Sequence, residues 1–203
     1  MSKTEPGKRE IIMNASIKVF AAKGYHSCRT LDISKEAGVA YGSLYQYFKS
    51  KDDILLSIYR DNWNFLLQRM EKLNQIEDSP ATRIIKIVDF IFANYDHNPD
   101  LIKVMIMEVP KLNQFYEHEN QVLYYRFFSG LAEIILEGQK KDLLNKEISP
   151  IIAAFVIYGA ADNTIRQYVF NPDFENLHFP MQEAKNQIIK FFIPGYLIKE
   201  PAK

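Results

Sequence analysis

The chain has 203 residues, with 25 Lys plus Arg against 25 Asp plus Glu and 47% hydrophobic residues. That balance can bury a core, which excludes wholesale disorder and collagen-like or low-complexity architectures. The single cysteine, Cys28, cannot close an internal disulfide or build a multi-cysteine metal site, so a cysteine-stapled secreted fold is excluded and a reducing cytoplasm is expected.

The zero net charge hides a division along the chain. Residues 1–51 hold nine Lys or Arg and four acids, a net of +5, so the rest carries −5. A basic head on an acidic body points to an anionic partner at one end. Residues 1–10 are polar with no apolar h-region, and the longest nearly unbroken apolar stretch, Ile151 to Ala161, is far short of a bilayer span. Neither export nor membrane insertion is expected.

The elements read as helix throughout. Ile11, Ile12, Ala15, Val19 and Phe20, spaced by three and four, predict a first helix stopped by Gly24. Thr30 is the expected N-cap of a very short second helix with Leu31, Ile33 and Ala37 on its apolar side and Gly38 at its end. A third helix is expected over Tyr41 to Phe48, and Ser50 to Asp53 matches a capping box opening a fourth helix towards Leu73. Ser79-Pro80 starts a fifth, running to about Asn98. After Pro99 come a short helix over Asp100 to Val109 and a longer amphipathic one to Gly138. Ser149-Pro150 opens a largely apolar helix over Ile151 to Phe170, and a last helix lies near Met181 to Phe192.

Two short helices joined by a glycine turn, in Thr30 to Lys51, form a helix-turn-helix pattern. Leu44 and Phe48, four apart, can seat the third helix on Leu31, Ile33, Ala37 and Val39. The other side then presents Tyr41, Gly42, Ser43, Tyr45, Gln46 and Tyr47, with Lys49 and Lys51 following at phosphate distance. On residue detail the segment resembles the tetracycline-repressor (TetR) family. The matching positions are Thr30, Ala37-Gly38-Val39, Gly42 to Phe48, and the Lys51 to Leu55 opening of the fourth helix, preceded by Phe20 to Tyr25.

The resemblance implies an all-α dimeric regulator of about nine helices. Residues 1–50 would form the helix-turn-helix DNA-binding domain and residues 51–203 the effector-binding and dimerisation domain. It also implies a double-stranded palindromic operator, with Thr30, Tyr45 and Lys51 holding phosphates and Tyr41, Gly42, Ser43, Gln46 and Tyr47 facing the groove. Where the family often has Ser or Thr before the recognition helix, this chain has Ala40, so a cap worth about 1 kcal/mol is missing.

In the body, Asp100 to Gly138 and Gly159 to Thr164 are similar to members regulating fatty acid degradation, which implies acyl-CoA as an effector. Independently, Met105, Tyr124, Tyr125 and Phe128 offer a deformable apolar wall, with Arg126, Asn163 and Arg166 available to orient a polar group of a small, largely apolar effector. The same large residues also serve as ordinary helical core. Phe155, Tyr158, Ile188 and Phe192 lie on apolar faces larger than the last two helices of a monomer need, and in the family these helices make the dimer interface. Dimer symmetry would set the recognition helices roughly 34–36 Å apart for neighbouring half-sites. A helical carrier or sensor of acyl chains without a DNA role is the competing class. An enzyme is disfavoured, because no nucleophile elbow, phosphate loop, dinucleotide fingerprint or zinc spacing occurs; no cofactor or metal is expected.

Overall fold

The computed structural model describes residues 7–171, 173–177 and 179–192. Helix α1 (Lys8–Lys23) ends as expected at Gly24, whose φ of 75° suits only glycine comfortably. It buries Ile12, Ala15, Val19 and Phe20, but also Met13, Ser16 and Ile17, because it is packed between α2 (Thr30–Glu36) and α6 (Pro99–Met107). Ser16 is admitted there because its hydroxyl donates to the Ile12 carbonyl at 2.7 Å.

Helix α2 begins at Thr30 itself, with Arg29 rather than Thr30 at the cap position. The Arg29 N–H donates to the Asp32 carboxylate at 2.9 Å, so the helix is closed from within and the Thr30 hydroxyl is released for other partners. Its end is a Schellman motif: Val39 N–H donates to Ser34 O and Gly38 N–H to Lys35 O, with Gly38 at φ 65°. Helix α3 is shorter than its sequence predicts, Tyr41–Leu44 only. Ala40 provides no side-chain cap, and residues 45–47 continue as a tightened turn with Gln46 and Tyr47 bonded to carbonyls three residues back.

Helix α4 (Lys51–Asn74) carries the expected box in a shifted form. Asp53 N–H donates to Ser50 Oγ at 3.1 Å, while the Asp53 carboxylate accepts from Lys49 N–H rather than from Ser50. In α5 (Pro80–His97), Ser79 caps by accepting from Thr82 N–H. The Asn98 side chain caps α6 through Leu101 N–H and Pro99 opens it, so α6 starts before Asp100. Two 3-10 turns, η1 (Val109–Lys111) and η2 (Asn113–Tyr116), lead into α7 (His118–Lys140).

Gly138 does not end α7. The stop is a second Schellman motif with Asp142 at φ 58°, in which Leu143 N–H donates to Gly138 O and Asp142 N–H to Gln139 O. Aspartate tolerates this left-handed position better than most residues. Helix α8 (Pro150–Phe170), the four-residue α9 (Phe174–Leu177), which sequence reading did not anticipate, and α10 (Met181–Phe192) complete an all-α chain with no strand among the described residues. No described helix is long and apolar enough to cross a membrane.

Two compact units emerge, and they are not successive halves. One joins Met1–Asn62 to Asn98–Gln121; the other joins Trp63–His97 to Val122–Lys203. The second is built by α5, α8 and α10 packing on one another and by α4 meeting α7, where Gly130 faces Met70.

Gly138 is there for space. A Cβ on it would lie 2.5 Å from Leu144 Cδ1, 2.6 Å from Leu144 Cγ and 3.1 Å from Pro80 Cβ. Gly138→Ala gains about 1 kcal/mol of helix propensity but overpacks this junction by about 1–3 kcal/mol. The expected result is a net destabilisation of about 1 kcal/mol, read as a lower urea midpoint at unchanged m value.

Candidate functional site

Leu44 and Phe48 are buried to 0% and 2% exposure, with Ile33 beneath them, each contributing about 1.5–3 kcal/mol of burial. Leu31, expected in that seat, is exposed instead, and Val39 is half-buried. With Leu44 and Phe48 turned in, Tyr41, Tyr45 and Tyr47 are turned out, all more than 40% exposed, and Gly42 and Gln46 are exposed beside them. Ser43 is half-buried. The Thr30, Tyr41 and Tyr45 hydroxyls hydrogen-bond one another at 2.9–3.3 Å. Asp32, at the base of α2, has its carboxyl held below the usual range by the Arg29 N–H first and the Lys23 ammonium second. The face is therefore one of hydroxyls, an amide and a glycine, with the tyrosines, Gly42 and Gln46 open to solvent.

Lys51 is placed differently from a free surface cation. Its ammonium donates to the carbonyls of Tyr25 at 2.7 Å and Cys28 at 2.9 Å and lies 4.2 Å from the centre of the Tyr25 ring. Two of its three protons are thus spent inside the unit, leaving at most one for an outside acceptor. The buried Tyr25 is the hub of this corner. Its hydroxyl donates to the Asp52 carboxylate, and burial, followed by that hydrogen bond, raises its phenol well above the ordinary range. Its N–H donates at 3.0 Å to Glu108, a buried carboxylate at the end of α6 that Lys111 also pairs at 2.9 Å. Burial also pushes the Cys28 thiol up, with Lys51 opposing, so the thiol stays protonated at neutral pH. Sequence reading missed Tyr25, Asp52 and Glu108. Glu108 next to Val109-Pro110, an acid in an apolar run, was the signal available.

Of the seven residues expected around an effector, Met105 is half-buried in the first unit, while Tyr124, Tyr125, Arg126, Phe128, Asn163 and Arg166 belong to the second. Tyr124 meets Phe128 at 4.5 Å with its ring tilted by 54° and meets Tyr125 at 5.8 Å. Trp63 joins the cluster at 5.2 Å from Tyr124 and 5.6 Å from Phe127. Burial, with the Asp162 carboxylate adding to it, raises the Tyr124 phenol. Arg166 is paired to Asp162 at 2.6 Å, one turn away, whereas Arg126 and Glu71 form an exposed pair at 3.5 Å and Asn163 is exposed. Phe128 itself is fully buried, as a core residue would be.

The expected dimer residues divide. Tyr158 turns inward, 5.2 Å from Phe128 and 5.9 Å from Trp63. Phe155 is 37% exposed, Ile188 is half-buried, and Phe192 lines an apolar groove of about 240 Å³ with Ile148, Ile152, Val156 and Phe191. Ile152, Val156 and Phe191 were missed, although Ile152 and Val156 stand four apart with Gly159 next on the same face.

Comparison with known proteins gives the family and the fold. Residues 12–58 match the family described as bacterial regulatory proteins, tetR family, and residues 59–195 match the YsiA-like protein C-terminal region. The fatty acid metabolism regulator protein of Bacillus subtilis is 24% identical over 184 residues, spanning 91% of this chain and 93% of that one. Among solved structures, the fatty acid degradation regulator FadR from Bacillus halodurans superposes with a TM-score of 0.82 at 22% identity, over 97% of this chain and all of that one. FadR from Bacillus subtilis, in complex with stearoyl-CoA, gives 0.79 at 23% identity, over 91% and 97%.

Glu108→Ala leaves the buried Tyr25 N–H without its acceptor and is expected to cost about 1–3 kcal/mol. Lys111→Ala keeps the Tyr25 N–H bond but leaves the buried Glu108 carboxylate without its cation, a cost expected at about 1–3 kcal/mol. Urea denaturation of the two variants measures both costs.

Proposed function

The chain belongs to the tetR family of bacterial regulatory proteins, with a YsiA-like C-terminal region, and from that premise we infer a ligand-responsive repressor released from its operator by a long-chain acyl thioester. DNA binding is the family's activity, and its members are regulators rather than enzymes. The observation that carries the reading is the outward polar face of Tyr41 to Tyr47 over the buried Leu44 and Phe48. Thr30, Tyr45 and the remaining proton of Lys51 hold phosphates, while Tyr41, Gly42, Ser43, Gln46 and Tyr47 face base edges in the major groove.

The effector belongs to the second unit. Stearoyl-CoA bound to FadR of Bacillus subtilis supports the acyl-CoA class for this chain, and the aromatic cluster of Trp63, Tyr124, Phe127 and Phe128 offers the apolar surroundings an acyl chain needs. The chain passes between units inside α4, ahead of α6 and inside α7. A shift of α6 is felt at Glu108, hence at Tyr25 and the whole corner that orients α2 and α4. The ligand acts only through its difference in affinity for the DNA-competent and released states.

A second copy covers the groove of α8 and α10. Exposed Ile152, Phe155, Val156 and Phe191 form a continuous apolar strip, and a two-fold interface buries the same strip on both chains. A dimer of this kind presents two recognition helices to a palindrome, in the cytoplasm where the DNA lies.

Two outcomes are expected. Micromolar stearoyl-CoA weakens binding to a duplex selected by the protein from a randomised pool by about tenfold, while coenzyme A alone does not; equal operator affinity with and without it, by fluorescence anisotropy, removes the effector assignment. Val156→Glu yields a monomer in sedimentation velocity and loses tight operator binding; a variant that still sediments as the dimer removes the interface assignment.

A further inference from the structure

The hydroxyls of Thr30, Tyr41 and Tyr45 stand at separations of 3.2 Å (Thr30 to Tyr41), 3.3 Å (Thr30 to Tyr45) and 2.9 Å (Tyr41 to Tyr45). These distances make a nearly equilateral triangle. An oxygen about 2 Å above its plane lies about 2.7 Å from all three, an ordinary O–H···O length. The triangle is also held in place. Tyr41 and Tyr45 are one helical turn apart, their rings meet edge to face at 5.4 Å, and Thr30 projects from the first turn of α2, which is capped without using its hydroxyl.

Each hydroxyl has one rotatable proton and can also accept. In the free protein the three protons satisfy one another. Facing an anionic oxygen, all three turn towards it without any heavy atom moving, which gives three converging donors at no cost in reorganisation of the side chains.

We propose that Thr30, Tyr41 and Tyr45 form a single seat for one backbone phosphate of the operator, so that Tyr41 positions the headpiece instead of reading a base. This rests on the DNA-binding reading above. It adds Tyr41, at a position the family resemblance assigned to the groove, to the phosphate contacts, and it narrows the base-reading set to Gly42, Ser43, Gln46 and Tyr47. In the free protein the hydrogen bonds to Tyr41, Thr30's first and Tyr45's second, hold its phenol below the ordinary range.

The test uses the full-length protein and a duplex selected by it from a randomised pool. Anisotropy is measured for wild type, Tyr41→Phe, Tyr45→Phe, the double variant and Gln46→Ala. The targets are the selected duplex, its single-base variants, and a set in which each phosphate in turn is replaced by a neutral methylphosphonate. Tyr41 and Tyr45 are exposed, so thermal melts are expected to coincide. Tyr41→Phe should weaken binding about tenfold on every base variant alike, since a dimer presents the seat twice. The double variant should lose less than the product of the single losses. One methylphosphonate that weakens wild type should cost both single variants little. Gln46→Ala, in contrast, should reorder the base variants.

The proposal is overturned if Tyr41→Phe reorders the base variants, leaves affinity within twofold, or loses sensitivity at a different phosphate from Tyr45→Phe. A wild-type protein that enriches no duplex and shows no salt-dependent DNA binding would remove the regulator reading as well, an outcome distinct from the three before it.

Discussion

The anchoring of one half-buried ammonium group sets the geometry of the first unit. Where α1 stops at Gly24, the chain turns through Tyr25 to Cys28 and leaves carbonyls that no helix can satisfy. Lys51, the first residue of α4, supplies their donors, and Glu108, from the end of α6, supplies the acceptor for the Tyr25 N–H. Three helices are fixed by one tyrosine. Withdraw any of these partners and a buried polar group is stranded, so the corner has one good arrangement and few neighbouring ones. A lysine expected to serve DNA is therefore first of all a structural cation, held in the position that Tyr25 and Cys28 give it.

The second unit is organised by aromatic rings instead of charges. Trp63, Tyr124, Phe127, Phe128 and Tyr158 meet at 4.5–5.9 Å, mostly edge to face. Such contacts are individually modest and can be re-formed in another order, whereas the hydrogen-bonded corner cannot. The molecule thus pairs a stiff polar joint beside its reading face with a repackable apolar body. That division suits a protein in which a variable apolar ligand must be reported to a headpiece of fixed shape.

Most of the helix starts were legible because they are local chemistry. Ser79-Pro80 and the Ser50 to Asp53 box lie where the residues themselves dictate, and Ser149-Pro150 marks the right start although the Ser149 side chain makes no cap bond. The stops were less so. Gly38 ends α2 as read, but Gly138 is a packing residue, and Asp142 supplies the left-handed stop that a glycine was expected to give. The outward face of Tyr41 to Tyr47 followed from the spacing of Leu44 and Phe48. The role of Glu108 did not, because its partner lies 83 residues away in sequence and only packing brings them together. Tyr158 and Phe155 are three apart on one helix, yet one turns into the aromatic core and the other remains partly exposed; amphipathic periodicity alone does not rank two apolar faces.

The brevity of α3 has a bearing on how such a protein finds its place on a chromosome. Four helical residues and a turn offer only a handful of side chains to base edges, and each good pair discriminates by about 1–3 kcal/mol. A lone headpiece is thus a poor searcher among the roughly 10⁶ or more competing sites of a genome. In the two-copy arrangement proposed above, two weak readers held at a set separation recognise a distance as much as a word. In a molecule built this way the ruler, not the alphabet, is the part a metabolite can most cheaply bend.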